Sequence, residues 1–244
     1  MAWPEPHHVE DLKIPGLIGG IAPESTVEYY RFIIREYQAR VHDASYPALL
    51  INSIDLTTMI KLVQRGDFER LTAYLSIEVE KLAKAGAEFV AFASNTPHIV
   101  FDEIRSRSPV PMVSIVEAAC EAALDNGVKR AGLLGTRFTM QGAFYDRVFS
   151  KRGISIVVPE PSDQDYIHEK YMGELVKGVF RPETRKRLLE IAARLQERQR
   201  VDAIVLGGTE LPLILRDAHA GLPFLDTTLI HVKKIVTEML KEDI

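Results

Sequence analysis

Four short polar stretches of the sequence stand where an apolar run gives way to a helix-like pattern. The stretches are GGIAPEST, ASNTPH, GTRFTM and GGTELP, and they supply hydroxyl groups, amides and backbone N–H groups. The start of a helix favours anions, because its dipole is positive there and its first N–H groups have no partner within the helix. The sequence therefore predicts a site for a small ligand that carries carboxylate groups. Its candidate residues are Ser94, Asn95, Thr96, Thr136, Thr139, Thr209 and Glu210.

Each of these residues also has a simpler structural explanation. Serine, threonine and asparagine are ordinary N-cap residues, and Glu210 fits a first helical turn, where the dipole favours an acid. His98 lies one turn into a predicted helix and can hydrogen-bond its own loop, and Lys177 lies near a helix C-terminus, where a cation is favoured. All four stretches are predicted at the carboxyl ends of strands, which favours one shared ligand site over four unrelated helix caps.

Several other chemistries lack the spacing that they need. The glycines of GLIGG do not form G-x-G-x-x-G, and the chain has no G-x-x-x-x-G-K-[ST] loop, so a nucleotide site is not predicted. ASNTP is not the G-x-S-x-G motif of a serine nucleophile, and the seven histidines show no metal-ligand spacing. The single cysteine, Cys120, excludes intrachain disulfides and cysteine-based zinc sites. We therefore predict no metal and no cofactor.

The composition excludes two further classes of partner. A formal net charge of −4 gives no reason to expect binding to nucleic acid or to an anionic membrane. No apolar run approaches the roughly 20 residues that span a bilayer. The start, MAWPEPHHVEDLK, lacks the basic and then apolar pattern of a secretory signal. These features predict a cytoplasmic protein with a core that is large enough for one large or two modest domains.

The elements that must position the polar stretches alternate between strand and helix along the chain. Helical patterns such as ESTVEYYRFIIREYQARV separate eight short β-rich runs, which indicates βαβ units and parallel sheets. The β-rich runs lie at residues 14–20, 46–53, 89–95, 110–116, 130–136, 153–160, 203–209 and 222–228.

The two halves of this list match in register. Gly16 and Gly19 in the first half have counterparts at the same spacing in Gly132 and Gly135, which indicates a domain duplication. We predict one α/β half at residues 14–118 together with a C-terminal helix at 229–244, and a similar half at 119–228. The helix VEAACEAALDNG connects them, and the ligand is expected in the cleft where strand ends from both halves converge.

Five segments, in this order and at these separations, together resemble the aspartate/glutamate racemase family, the cofactor-independent amino-acid racemases. GLIGGIAPESTVEYYRFI is similar to the opening glycine loop of the family, and SNTPH to its first catalytic motif, C-N-T-x-H. LLGTRFTMQGAFY resembles the start of its second half, GGTELPLIL its second motif, G-C-T-E-x-P, and PFLDTTLIHV its closing segment. The resemblance implies an isomerase of acidic amino acids that pairs as a homodimer.

The family inverts an α-carbon with two cysteine thiols, one on each face of the substrate. By this resemblance, Ser94 stands at the position of the first cysteine and Gly208 at that of the second, so a two-thiol reaction is excluded. A serine hydroxyl is a far weaker acid than a thiol, whose unperturbed pKa is about 8.5. We expect Ser94, His98 or Glu210 to act instead, with a trapped water in a void beside Gly208 and room for a substrate bulkier than aspartate.

The part of the family site that holds carboxylates is implied to be intact. The resemblance assigns substrate binding to Asn95, Thr96, Thr136, Thr139, Thr209 and, for the side-chain carboxylate, Lys177. Three functions stay open at this point: an isomerase with other acid and base groups, a lyase or decarboxylase acting on a related carboxylate, and a binding protein without turnover.

Overall fold

The computed structural model describes residues 12–41, 45–216 and 221–241. The predicted α/β class is confirmed, with two four-stranded parallel sheets ordered β2-β1-β3-β4 and β6-β5-β7-β8. The first sheet contains β1 (Pro15–Gly19), β2 (Leu50–Ser53), β3 (Phe89–Phe92) and β4 (Met112–Val113). The second contains β5 (Arg130–Gly135), β6 (Ser155–Val157), β7 (Ala203–Gly207) and β8 (Phe224–Asp226). Each of the eight predicted runs contains one strand.

Helices connect successive strands and cover both faces of each sheet. The first six are α1 (Pro23–Val41), α2 (Leu56–Gln64), α3 (Phe68–Lys84), α4 (Phe101–Arg105), α5 (Ile115–Asp125) and α6 (Arg137–Gln141). They are followed by α7 (Phe144–Ser150), α8 (Pro161–Gly173), α9 (Pro182–Gln199), α10 (Leu211–Leu215) and α11 (Thr227–Met239). Short 3₁₀ helices lie at Thr96–Val100 and Leu175–Lys177. In the described part of the chain, no helix is both long and apolar enough to cross a membrane.

The central strands β1, β3, β5 and β7 are buried on both faces, apart from the first residue of β5, because helices cover both sides of a parallel sheet. In β1, Leu17 packs with Tyr29 and Ile33 of α1, whereas Ile18 packs on the opposite face with Leu71 and residues around it on α3. Neighbouring residues of a strand point to opposite faces, so each strand contributes to two core layers. The same arrangement in the second half places its polar loops at the equivalent sheet edge.

Helix α11 follows the last strand of the second sheet but packs against the first half. Val232, Ile235 and Val236 of α11 are buried beside Leu17 and Tyr29. Buried apolar surface therefore joins the two halves close to the predicted cleft. The domain boundaries themselves stay a prediction. Some of the predictions concern segments outside the described residues. These segments are the last three residues of the predicted C-terminal helix and the first eleven residues of the chain, which entered the prediction of a cytoplasmic location. Four of the histidines considered as metal ligands also lie outside: His7, His8, His42 and His219.

Candidate active site between the two halves

The four polar loops follow the two central strands of each sheet. In the order β2-β1-β3-β4 the chain turns to opposite sides after β1 and after β3, and β5 and β7 hold the same places in the second sheet. Ligands of open α/β sheets bind at such switch points, outside the carboxyl ends of the strands. Thus the topology places all four sequence-predicted loops where each half would bind a ligand.

The loop after β3 is tied directly to the second half through Asn95. The Asn95 Nδ2 group donates to Thr227 Oγ1 at 3.4 Å, and the Tyr145 hydroxyl donates to Asn95 Oδ1 at 2.6 Å. The Thr227 hydroxyl in turn donates to the carbonyl oxygen of Leu206 at 2.7 Å, near the end of β7. Asn95 makes no side-chain N-cap bond, so its role is not that of a simple cap. These bonds bring the ASNTPH and GGTELP loops together.

Ser94 and Thr96, which flank this asparagine, are also buried, with 5% and 6% of their surfaces exposed. Among the described residues, no group hydrogen-bonds the Ser94 or Thr96 hydroxyl. Both hydroxyls are therefore available to a ligand.

Thr136 and Thr139 are candidate ligand-binding residues that also form an ordinary helix N-cap. The Thr136 hydroxyl accepts the Thr139 N–H at 3.3 Å and caps α6, and the two hydroxyl oxygens lie 3.2 Å apart. Both side chains are buried. Since a hydroxyl can donate one and accept two hydrogen bonds, this cap leaves capacity for a carboxylate.

Glu210 lies at the centre of a second buried cluster. Its Oε2 atom accepts a hydrogen bond from the Thr209 hydroxyl at 3.0 Å and a short one from the Tyr171 hydroxyl. Its Oε1 atom has no hydrogen-bond partner in the described part of the chain. Burial raises the pKa of the Glu210 carboxyl, and the hydroxyl groups of Tyr171, Thr209 and Ser25 only reduce this rise. The Ser25 hydroxyl lies near the carboxyl but donates to the carbonyl oxygen of Ala22 at 2.9 Å. Glu210 is thus a buried acid with one oxygen free for a further partner.

The expected void beside Gly208 is absent, because the ring of Tyr171 occupies that space. A Cβ atom at Gly208 would lie 2.5 Å from Tyr171 Cε2 and 2.8 Å from its hydroxyl oxygen. The expectations of a trapped water and of extra room for a bulkier substrate at this point are therefore wrong. Tyr171 could not be predicted from the sequence, because its position depends on how α8 packs beside β5 and the loop after β7.

Neither His98 nor Lys177 hydrogen-bonds to Glu210 in the part of the chain that the structure describes. The His98 ring stacks on Phe101 with centroids 4.6 Å apart, and its Nε2 atom accepts the N–H of Ile115 at 3.3 Å. Burial lowers the pKa of His98 to about 3, so the ring is neutral near pH 7. Lys177 is exposed in the 3₁₀ helix after α8. In the described ranges, no group of three or more His, Cys, Asp or Glu residues comes together as a metal site.

Two residues of the site, Tyr145 and Thr227, were not predicted from the sequence, although both lie in segments that resemble the family. Their hydroxyls hold the Asn95 amide from the second half. The sequence pointed to Tyr145 and Thr227 only because QGAFY and LDTTL belong, with SNTPH, to the segments that resemble the family. It could not indicate contact, because the three segments are far apart along the chain.

The sequence matches the family described as Asp/Glu/Hydantoin racemase over residues 18–235. The chain therefore belongs to this family, and the resemblance that its motifs indicated is confirmed.

Relatives and solved structures agree with this assignment. The chain is 26% identical over 235 residues to the broad specificity amino-acid racemase RacX of Bacillus subtilis, and the alignment covers 92% of this chain and 97% of that protein. The crystal structure of an aspartate racemase homologue from Pyrococcus horikoshii is 32% identical, with a TM-score of 0.81 over 94% of this chain and 100% of that one. The glutamate racemase of Francisella tularensis, solved with D-glutamate, shares the fold at a TM-score of 0.62 and 12% identity.

Proposed function

We propose that this protein is an isomerase that removes and returns the α-proton of a small acidic amino acid, without a cofactor and with groups other than two thiols. The observation that carries this proposal is the buried hydrogen-bonded link from Asn95 through Thr227 to Leu206, near the end of the strand that leads into the buried Thr209–Glu210 loop. Racemisation needs a group on each face of the α-carbon, and two loops from opposite halves can supply them.

In this proposal the hydroxyl and amide groups hold the substrate carboxylates. Asn95, Thr96 and Thr209 contact the α-carboxylate or amino group, Thr136 and Thr139 contact a carboxylate from the third loop, and Lys177 pairs with the side-chain carboxylate. Ser94 lies on one face of the α-carbon and the Gly208 position on the other. His98 stays a lesser candidate for the acid or base, because it is neutral and tied to the start of α5.

Exchange of the α-proton into deuterated water tests the function directly. The L and D forms of aspartate and glutamate, and a neutral amino acid, are incubated with the protein, and loss of the α-proton signal is followed by NMR. We expect exchange with at least one acidic amino acid. No exchange with any of them would refute the proposed function.

Two variants make this test specific for the site. Asn95→Ala removes the amide that joins the halves, and we expect exchange to fall by roughly 10²-fold or more, as for a lost positioning group. Asn126→Ala removes an exposed amide that bonds only the Ala122 carbonyl oxygen at the end of α5, and exchange should stay at the parent rate. Light scattering tests the proposed homodimer.

A further inference from the structure

Tyr171 takes the volume that a side chain at position 208 would need. Its Cε2, hydroxyl oxygen and Cζ atoms lie 2.5, 2.8 and 2.9 Å from where a Cβ of residue 208 would stand, and nearly the whole residue is buried. By resemblance this is the position of the second thiol of the family. A hydroxyl group therefore lies beside the place where the family holds its second acid.

The Tyr171 hydroxyl is part of a proton-sharing pair rather than an isolated phenol. It donates to Glu210 Oε2, which also accepts from the Thr209 hydroxyl at 3.0 Å, while Glu210 Oε1 is buried without a partner in the residues described. An unpartnered buried carboxylate oxygen costs roughly 1–3 kcal/mol unless a ligand or water completes it. The nearby Ser25 hydroxyl donates to the Ala22 carbonyl oxygen instead, so Glu210 Oε1 can accept a hydrogen bond from a ligand group such as an ammonium group.

We propose that Tyr171 and Glu210 together move the proton on the face of the α-carbon where the family uses its second thiol. This inference rests on the proposed function and deepens it. In the forward step the α-carbon–hydrogen bond breaks and its electron pair stays on the substrate carbanion. The proton bonds to the Tyr171 oxygen while the original Tyr171 proton passes to Glu210, which becomes a neutral acid. If the same pair returns a proton to the carbanion, the Glu210 carboxylate is restored and the substrate has exchanged its proton without inversion. If the carbanion takes its proton from the opposite face, the substrate is inverted, Glu210 stays neutral and the group on that face has lost a proton. Reaction of the other enantiomer, or proton exchange with water, then reverses both changes.

The pair avoids an intermediate that a lone phenol would require. Burial and the charge of Glu210 raise the pKa of Tyr171 well above its ordinary value, so a free phenolate is strongly disfavoured. Burial also raises the pKa of Glu210, which brings the carboxyl closer to a value that suits proton transfer near neutral pH. In the paired transfer the phenol stays neutral at both ends of the step, and Glu210 carries the change of charge.

Tyr171→Phe tests this proposal because it keeps the ring and removes only the hydroxyl. A group on one face takes the α-proton of one enantiomer, so the variant should lose α-proton exchange for that enantiomer by roughly 10²–10⁴-fold. The other enantiomer still loses and regains its proton on the opposite face, and its exchange should fall less than about tenfold. Damage to the fold would lower both rates alike. Glu210→Gln keeps the shape and removes the proton acceptor, and it should reproduce the selective loss.

Tyr166→Phe is the matched control, since Tyr166 lies on the same helix outside the cluster and packs under Lys170 and Arg187. Its exchange rates should equal those of the parent. If the parent exchanges and Tyr171→Phe keeps both rates, the Tyr171–Glu210 pair is refuted while the proposed function stands. If the parent exchanges no acidic amino acid, both proposals are refuted together.

Discussion

Substitution of Gly208 by cysteine should destabilise the protein, although the resemblance of GGTELP to G-C-T-E-x-P implies a cysteine at this position. Three side-chain atoms of Tyr171 lie closer than 3.0 Å to the new Cβ, so the ring must move. Overpacking of this kind costs roughly 1–3 kcal/mol. A displaced ring also leaves the buried Glu210 carboxyl without its Tyr171 bond, which adds roughly 1–3 kcal/mol. We therefore expect the free energy of unfolding to fall by about 2–6 kcal/mol.

The backbone cannot account for this loss, because Gly208 does not have the positive φ that only glycine tolerates well. Gly173→Cys is the matched control, because Gly173 also lacks a positive φ and a Cβ there meets no atom within 4 Å. Gly173 ends α8, two residues after Tyr171. Its substitution should change stability by less than about 1 kcal/mol.

A double-mutant cycle isolates the clash from other effects. Tyr171→Ala alone should cost roughly 3–5 kcal/mol through the cavity that it leaves. Adding Gly208→Cys to Tyr171→Ala fills part of that cavity, so the two changes should be less costly together than their sum, by about 1–3 kcal/mol. Guanidinium denaturation followed by circular dichroism measures all four proteins. Full stability of Gly208→Cys, or additive costs in the cycle, would refute the packing of Tyr171 against position 208.

The position of Tyr171 also affects any attempt to introduce cysteine at both Ser94 and Gly208. From the sequence, Ser94→Cys with Gly208→Cys should raise α-proton exchange of aspartate or glutamate. In the structure the second thiol has no room while Tyr171 is present. We therefore expect the double variant to gain little, and the triple variant with Tyr171→Ala to gain exchange, as measured by NMR in deuterated water. Equal gains in both would contradict the steric argument.

Three further predictions concern other parts of the site and its support. Burial lowers the pKa of His98 to about 3 and that of His231 to about 4, below the value of roughly 6.5 expected when unfolded, so their stabilisation is complete above pH 6.5 and is lost as the pH falls towards 4. Between pH 7.5 and 5, each histidine should lower the free energy of unfolding by roughly 2 kcal/mol, whereas the raised pKa of Glu210 acts in the opposite direction. A loss as large in His98→Phe and His231→Phe as in the parent would contradict the neutral, buried rings. Asn95→Ala should remove the rise in melting temperature caused by aspartate, which Asn126→Ala should keep, in a thermal shift assay. Lys177→Gln should raise the KM for aspartate with little change in kcat, and an unchanged KM would exclude Lys177 from the site.

The strands were predictable because their apolar character is continuous and local. FVAFA and AIVLG are buried on both faces, as the strands of a parallel sheet must be, and each ends at a change to small polar residues. The match between Gly16 and Gly132 made the second half predictable from the first. The carboxyl ends of the strands then located the four loops without any knowledge of side-chain contacts.

The contacts inside the site were not predictable, because they depend on long-range packing. We expected a void at Gly208 because glycine has no side chain. In the structure Tyr171, which is remote from Gly208 in the sequence, fills that space. Likewise, an asparagine before a helix is an ordinary cap by local rules, but Asn95 bonds Tyr145 and Thr227 of the other half. Local propensity predicts which residue types stand at a turn, and tertiary packing decides what they contact.

In the proposed mechanism the proton carrier lies on α8, whereas in the two-thiol reaction the loop after β7 would both carry the proton and position the carboxylate. Thr209 can then position a carboxylate while Tyr171, from a different element, supplies the hydroxyl beside the same point. This has a physical consequence, because the hydroxyl lies beside Gly208 only when α8 is packed in the core that it shares with β5 and β7. Changes that loosen this packing, such as Leu206→Ala in the shared core, should therefore lower exchange more steeply than they lower carboxylate binding. A parallel fall in both quantities would place the proton carrier on the loop itself.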